Sequence, residues 1–132
     1  MFGGAHRALT PGGEFVAEFG GAGNVASVVE ALTAELRARG VDAPQPWYFP
    51  SAGEYATKLE RAGFRVEFLA YFDRPTPLPG DVLDWIATFG ERYTHALPAE
   101  QRPSYLRDVR ARLAPLNGVL DYVRLRTRAR KR

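Results

Sequence analysis

The sequence contains no cysteine. Disulfide bonds, thiolate metal sites and a cysteine nucleophile are therefore all excluded. Long apolar runs are missing too, because no stretch approaches the roughly 20 consecutive apolar residues of a membrane-spanning helix. The first residues carry no apolar block of the length that a signal peptide has. We therefore expect a cytoplasmic protein that is not inserted in a membrane.

Groups that commonly serve in catalysis are also scarce. The two histidines, His6 and His95, lie far apart, and neither has a partner at the i, i+4 spacing of metal ligands. No serine lies in a G-x-S-x-G elbow, so nothing supports a hydrolase triad. The sequence predicts no metal site, and its catalytic residues stay unknown.

Positive charge is concentrated near the end of the chain. The net charge is +3, yet residues 118–132 hold six basic side chains against Asp121. Arg124, Arg126 and Arg128 alternate with smaller or apolar residues, which predicts a strand with one solvated face and a frayed basic end. No aromatic residues interleave with these arginines, which argues against a nucleic-acid partner.

Hydrophobic patterns predict three strands separated by helices. A short apolar run between glycines, Glu14 to Phe19, is typical of a buried strand. Phe64 to Phe72 predicts a strand with Val66, Phe68, Ala70 and Phe72 on one face. Residues 119–129 form the third strand. The alternation of strands and helices predicts an α/β layered fold in a 132-residue chain that fits one domain.

The predicted helices have recognisable starts and ends. Asn24 is a suitable N-cap for a helix that ends at Gly40. Ser51 and Glu54 form a capping box, which opens a helix ending at Gly63.

Two more helices are predicted in the second half. One runs from Val82 to Tyr93 with an apolar stripe that includes Phe89. The other runs from Pro98 to Leu113 with Leu106 facing inward, and Pro103 either splits it or marks its true start.

Four segments, taken in order, resemble one enzyme family. They are Leu9-Thr-Pro-Gly-Gly-Glu-Phe-Val, Trp47-Tyr-Phe-Pro-Ser-Ala-Gly-Glu-Tyr followed by Leu59-Glu-Arg-Ala-Gly-Phe, Phe72-Asp-Arg-Pro-Thr-Pro-Leu, and Asp121-Tyr-Val-Arg-Leu-Arg. They are similar to the fifth strand, the helix before the sixth strand, the loop after it and the last strand of class I S-adenosylmethionine-dependent methyltransferases. The trans-aconitate methyltransferase-like branch is the most similar.

The resemblance implies a fold and an incomplete enzyme. Residues 1–132 would be a single domain, the C-terminal portion of a Rossmann-like methyltransferase sheet, with three strands of which the last is antiparallel, and flanking helices. In the family, S-adenosylmethionine binds to the N-terminal half. None of the segments of that half is in this sequence, so we expect no cofactor-binding residues here and doubt that the chain binds the cofactor alone.

The resemblance also points to a small-molecule substrate site. The turn at the carboxyl end of the first strand would border the substrate pocket, and one wall would come from the aromatic loop. The predicted substrate-binding residues are Gly20, Gly21, Asn24, Trp47, Tyr48 and Phe49. Three consecutive aromatic residues in a Pro-rich loop cannot all enter one core, so at least one should lie on a pocket wall or an interface.

Three functional hypotheses follow. The chain is the substrate-side half of a methyltransferase, inactive alone; or it is a subunit of a split or dimeric enzyme, paired with a complementary N-terminal half or with a second copy; or it is a non-catalytic binding module.

Overall fold

The computed structural model describes residues 2–132, which divide into two compact units interleaved in sequence. The sheet unit comprises residues 2–24, 48–74 and 122–132, and the helical unit comprises residues 25–47 and 75–121. The regular elements, in chain order, are α1 (Phe2–Ala8), β1 (Glu14–Gly20), α2 (Ala26–Arg37), α3 (Ala52–Arg61), β2 (Phe64–Asp73), β3 (Thr76–Pro77), α4 (Val82–Phe89), α5 (Glu91–Thr94), α6 (Arg102–Leu113), β4 (Val119–Leu120) and β5 (Val123–Lys131), with 3₁₀ turns at Ala99–Gln101 and Ala114–Leu116.

The sheet unit is built on three strands in the order β1-β5-β2. The last strand, β5, lies in the middle and is antiparallel to both neighbours. The predictions of a mixed α/β fold and of an antiparallel last strand are thus confirmed. β1 and β2 form the two edges of this sheet.

The two faces of β5 differ as the alternation predicts. Leu125, Thr127 and Ala129 are fully buried on one face. The opposite face, which we call the arginine face, carries the four alternating arginines of β5 and the residues paired with them on β1 and β2. Its members are Glu14, Val16, Glu18, Gly20, Arg65, Phe68, Ala70, Phe72, Arg124, Arg126, Arg128 and Arg130.

The predicted frayed end is wrong, because β5 continues to Lys131. The Lys131 ammonium donates a hydrogen bond to the Leu9 carbonyl at 2.7 Å. The Arg132 amide donates to the Gly63 carbonyl at 3.0 Å. These bonds hold the basic residues in the centre of the sheet.

The prediction that β1 is fully buried is also wrong. Exposed and half-buried residues alternate along it, and Val16 is 67% exposed. Val16 pairs with Arg128, so it lies on the solvated arginine face. A short apolar run does not reveal whether both faces of a strand are covered.

A β-bulge changes the predicted faces of β2. Val66 pairs with Ala129 on the covered face, whereas Phe68 pairs with Arg128 on the arginine face. The register shift between them leaves Glu67 as the extra residue. The predicted common face of Val66 and Phe68 is therefore wrong, and Phe68 is 48% exposed.

Helix α3 covers one face of the sheet. Its cap is confirmed, since the Ser51 hydroxyl accepts a hydrogen bond from the Glu54 amide at 3.2 Å. The helix buries Tyr55 and Leu59, as predicted, against Phe64 and the covered face of β5. Gly63 ends it with a φ of 94°, a backbone conformation that favours glycine.

In the helical unit, α2 packs against α6. The buried Tyr105 hydroxyl donates to the Leu32 carbonyl at 3.0 Å. Arg39 bridges Glu35 and Asp108 at 2.9 and 2.7 Å. We expected Leu106 to face inward, but it is only partly buried. The neighbouring Tyr105 is fully buried instead.

The start of α2 differs from the prediction. Its N-cap is Val25, in the left-handed region, and not Asn24. The Asp121 carboxylate instead accepts hydrogen bonds from the Ser27 amide at 3.0 Å and the Ser27 hydroxyl at 2.8 Å. A residue 94 positions away in sequence therefore caps the helix, which no local pattern indicates.

The other predicted helices are correct in position and differ in detail. The helix expected from Val82 to Tyr93 is interrupted at Gly90, and Phe89 is exposed while Tyr93 is buried. α6 begins at Arg102, so Pro103 marks the start of the helix.

Candidate functional site

The turn after β1 packs closely against two aromatic rings. A Cβ added at Gly20 would lie 2.8 Å from Phe49 Cε1, and one added at Gly21 would lie 3.1 Å from Tyr71 Cε2. At Gly20 the distance is too short for a Cβ atom unless a neighbour shifts, and at Gly21 it is tighter than most Cβ contacts. The two glycines are therefore explained by contact with the rings of Phe49 and Tyr71.

The polar groups of this turn bond within the chain. The Gly21 amide donates to the Val123 carbonyl at 3.0 Å, and the Ala22 amide donates to the Pro50 carbonyl at 2.9 Å. The side chain of Asn24, only 6% exposed, accepts from the Val123 amide at 2.8 Å. These polar groups of the turn are therefore used within the sheet unit, and the ring of Phe49 lies against Gly20.

Tyr48 presents the exposed aromatic surface of the loop in the sheet unit. The Lys58 ammonium donates to the Tyr48 hydroxyl at 2.6 Å and lies 4.3 Å from the centre of its ring. The same hydrogen bond is the main cause that raises the pKa of Lys58. This arrangement keeps a positive charge beside a half-exposed ring.

Tyr71, which was not among the predicted site residues, lies against the turn after β1. Its hydroxyl donates to the Ala22 carbonyl, and about half of its surface is exposed. The β2 bulge puts Tyr71 opposite Leu125 on the covered face. In the sequence, the mixed face formed by Glu67, Leu69 and Tyr71 was the feature that could have pointed to Tyr71, but it did not single out one of the three residues.

Trp47 makes its ring contacts in the helical unit. Its ring lies 5.9 Å from that of Trp85 and 5.8 Å from that of Tyr93. Tyr48 and Phe49 belong to the sheet unit, where Phe49 meets Gly20. The three consecutive aromatic residues diverge, as the sequence predicts.

Among the predicted substrate-binding residues, the sheet unit brings Gly20, Gly21, Asn24 and Phe49 together. Of these, only Phe49 is partly exposed. Tyr55 of the same unit is buried, and the centre of its ring lies 4.7 Å from that of Phe19. Burial raises the pKa of Tyr55 to about 12. The Tyr55 hydroxyl is therefore protonated at neutral pH.

The helical unit contains a cavity of about 450 Å³ next to the contacts of Trp47. Tyr93 both lines this cavity and touches the Trp47 ring. The lining residues are Ala43, Pro44, Gln45, Pro46, Arg92 and Tyr93. Its volume is in the range of small-molecule sites, and Arg92 gives it one cationic group.

Residues 2–132 contain no group of three or more histidine, aspartate or glutamate side chains placed to hold a metal ion. Within the same described range, every helix is too short or too polar to cross a membrane.

Comparison with known proteins gives a relationship that bears on function. In an alignment of 100 residues that covers 72% of the chain, the chain is 42% identical to an uncharacterized methyltransferase of Schizosaccharomyces pombe. The chain is a homologue of part of a methyltransferase. It spans 38% of the length of that relative. No family model matches the chain. The relationship supports the resemblance to methyltransferases that the four sequence segments carry.

Proposed function

We propose that this chain is the substrate-side portion of a class I S-adenosylmethionine-dependent methyltransferase of the trans-aconitate methyltransferase-like branch, acting on a small molecule. The observation that carries the proposal is the 42% identity with the S. pombe methyltransferase over 100 residues. The Rossmann-like arrangement belongs to the same proposal. The antiparallel β5 supports it, since the four segments led us to expect an antiparallel last strand.

The chemistry explains why no base is evident. S-adenosylmethionine supplies an electrophilic methyl group when it is bound. The protein then has to position the acceptor, exclude water and align the attack. In this chain the partly exposed rings of Phe49 and Tyr71 would form an acceptor wall at the end of β1, and a carboxylate acceptor would need no base.

A second polypeptide segment would hold the cofactor, either a complementary N-terminal half or, less simply, a second copy of this chain. Two observations support this part of the proposal. In the turn after β1, the amides of Gly21 and Ala22 already bond within the chain, and the ring of Phe49 lies against Gly20. The unmatched part of the relative is longer than the matched part, since the chain spans only 38% of it.

Calorimetry with S-adenosylmethionine, together with the mass of the particle in solution, tests the division of roles. We expect the folded chain alone to show no saturable binding. Saturable binding at micromolar concentration would contradict this and would mean that the chain builds a cofactor site itself.

A chimera tests the family role. In it, the aligned segment of this chain replaces the matched segment of the S. pombe protein. We expect the folded chimera to bind S-adenosylmethionine and to transfer its labelled methyl group to small acceptors. A folded chimera that binds the cofactor but transfers no methyl group, where the parent does, would contradict the proposed role.

A non-catalytic binding module is the second candidate. The observation that favours it is the internal bonding of Gly21, Ala22 and Asn24, which leaves mainly aromatic surface at the turn. An inactive but folded chimera with retained acceptor binding would favour this candidate.

A further inference from the structure

The cavity beside Tyr93 in the helical unit combines apolar walls with a cationic group. Its volume is about 450 Å³, and its apolar walls come from Ala43, Pro44, Pro46 and Tyr93. Of the residues that line it, Arg92 is the one that carries a charge, so no acidic side chain belongs to the lining. A cavity of this size and composition accommodates a small organic molecule.

The polar side chains of the cavity are not used within the chain. Within residues 2–132, the guanidinium of Arg92 and the side-chain amide of Gln45 make no hydrogen bond or ion pair. Both side chains are exposed. A guanidinium carries five N–H donors and an amide carries two, so the rim of the cavity offers several donors to an acceptor group of a ligand.

The acidic residues that adjoin the lining in the sequence have partners of their own. Asp42 Oδ1, next to Ala43, lies 3.0 Å from Arg37 Nε. Glu91 Oε1, next to Arg92, lies 3.4 Å from His95 Nδ1. These pairs leave the charge of Arg92 available to a negatively charged ligand.

The walls of the cavity are held in place by other contacts. Tyr93 is buried, and the centre of its ring lies 5.8 Å from that of Trp47. The ring of Trp47 in turn lies 5.9 Å from that of Trp85. Pro44 and Pro46 each have a φ angle fixed by the pyrrolidine ring. Walls that are ordered before a ligand arrives reduce the entropic cost of binding.

We propose that this cavity binds a small aromatic monocarboxylate. The carboxylate pairs with Arg92, because the planar fork of guanidinium donors matches carboxylate geometry, and the amide of Gln45 donates to the same group. The aromatic ring of the ligand packs on Tyr93 and on the flat faces of the two prolines. A single cationic side chain balances a single carboxylate.

This inference goes beyond the proposed function. The cavity belongs to the helical unit, whereas Phe49 and Tyr71, the proposed acceptor wall, belong to the sheet unit. Binding to the cavity and methyl transfer are therefore measured separately, and either can fail without the other.

Other ligands fit this lining less well. A neutral aromatic molecule would leave Arg92 without an opposite charge. A phosphate is usually bound by several cationic groups or backbone N–H donors, whereas this lining has one cationic side chain. A cationic ligand would meet the like charge of Arg92.

Titration of the intact, isotope-labelled chain with sodium benzoate, followed by NMR, tests the proposal. At pH 7 the carboxyl group of benzoate is ionised. We expect saturable shifts of the backbone amides of Ala43, Gln45, Arg92 and Tyr93. Acetate has the charge without the ring, and benzyl alcohol has the ring without the charge. Each should bind about fivefold or more weakly than benzoate, because each lacks one of the two contacts.

Two variants test the role of charge. Arg92→Gln removes the cationic group, and Gln45→Glu places an opposing carboxylate at the rim. Each should weaken benzoate binding about fivefold, a moderate effect because the site is open to solvent. Arg61→Gln, which changes an exposed helical arginine of the sheet unit, is the matched control and should leave binding unchanged. All three positions are exposed, and circular dichroism checks that each variant is folded.

Three results would each overturn the proposal. The first is the absence of saturable shifts at the cavity when benzoate is added. The second is binding of acetate or benzyl alcohol as tight as that of benzoate. The third is a folded Arg92→Gln variant that binds benzoate as tightly as the wild-type chain does.

Discussion

The two faces of one strand, β5, show how position in the fold assigns different tasks to alternate residues. Leu125, Thr127 and Ala129 are fully buried and belong to the core of the sheet unit. Arg124, Arg126 and Arg128 lie one residue away on the opposite face, where they pair with glutamates. The comparison teaches that the covered face supplies buried packing, whereas the arginine face supplies solvent-exposed ion pairs.

The largest effect should come from the covered face. Leu125→Ala removes a buried side chain that packs with Tyr55, Leu59 and Phe64. We expect the free energy of unfolding to fall by about 2–5 kcal/mol. Urea denaturation followed by circular dichroism measures it. Val16→Ala, on the exposed face, is the control and should change the free energy of unfolding by no more than about 0.5 kcal/mol. Equal losses in the two variants would contradict the proposed difference between the faces.

Gly20 is an exception on the β1 edge, since it is buried although it pairs with Arg124. Gly20→Ala places a methyl group against Phe49 and Asn24, and should destabilise the protein by about 1–3 kcal/mol. Thermal and urea unfolding measure the loss. Gly53→Ala is the matched control, because a Cβ there meets nothing within 4 Å. It lies in α3 and should stabilise the protein by about 0.4–1 kcal/mol.

A smaller effect is expected at Thr127, which is polar but lies on the covered face. Its hydroxyl donates to the Phe68 carbonyl at 3.1 Å, next to the bulge. Thr127→Val keeps the shape and removes the donor, so we expect a loss of about 0.5–1.5 kcal/mol in urea unfolding. Unchanged stability would mean that this bond does not stabilise the bulge. Amide hydrogen exchange of residues 66–69 independently measures whether the backbone around the bulge becomes less protected.

The smallest effect concerns pH and belongs to the arginine face. Hydrogen bonds from Arg126 and Arg130 hold the pKa of Glu18 and Glu67, respectively, below the ordinary value of 4.5. Because the folded pKa is lowered, these groups contribute stability that is fully present above pH 4.5 and is lost as pH falls through the lower folded value.

The double variant Glu18→Gln and Glu67→Gln should therefore show a smaller decrease in the free energy of unfolding as the pH falls. Urea midpoints between pH 7 and pH 3 measure it. Since both pairs are solvent-exposed, salt should weaken the effect. If the double variant loses as much stability between pH 7 and pH 3 as the wild-type chain does, these carboxylates are not the cause of the loss.

The sequence predicted those parts of the fold that depend on local patterns. Alternation in residues 119–129 identified the two faces of β5, and Ser51 identified the start of α3. Helical periodicity placed α2 and α6 nearly correctly. These predictions succeeded because strand period, helix period and capping chemistry act within a few residues of each other.

The candidate site was predictable only in part. The glycines and the aromatic loop marked residues 20–24 and 47–49, and the structure joins Gly20 to Phe49. Tyr71 was missed, because its place at Gly21 depends on a bulge near Val66. The internal bonding of Asn24 was missed as well, since its partner, Val123, lies 99 residues away.

The sequence by itself determined the chemical alternation of β5, the helix caps at Ser51 and Gly63, and the resemblance to methyltransferases. Only the tertiary structure decided that β5 lies between β1 and β2, which makes Val16 and Phe68 neighbours of Arg128. It also decided that Asp121 caps α2 in place of Asn24. The physical reason is the same in each case: pairing between strands and capping by distant side chains depend on which segments meet in space, and that information is absent from any short stretch of sequence.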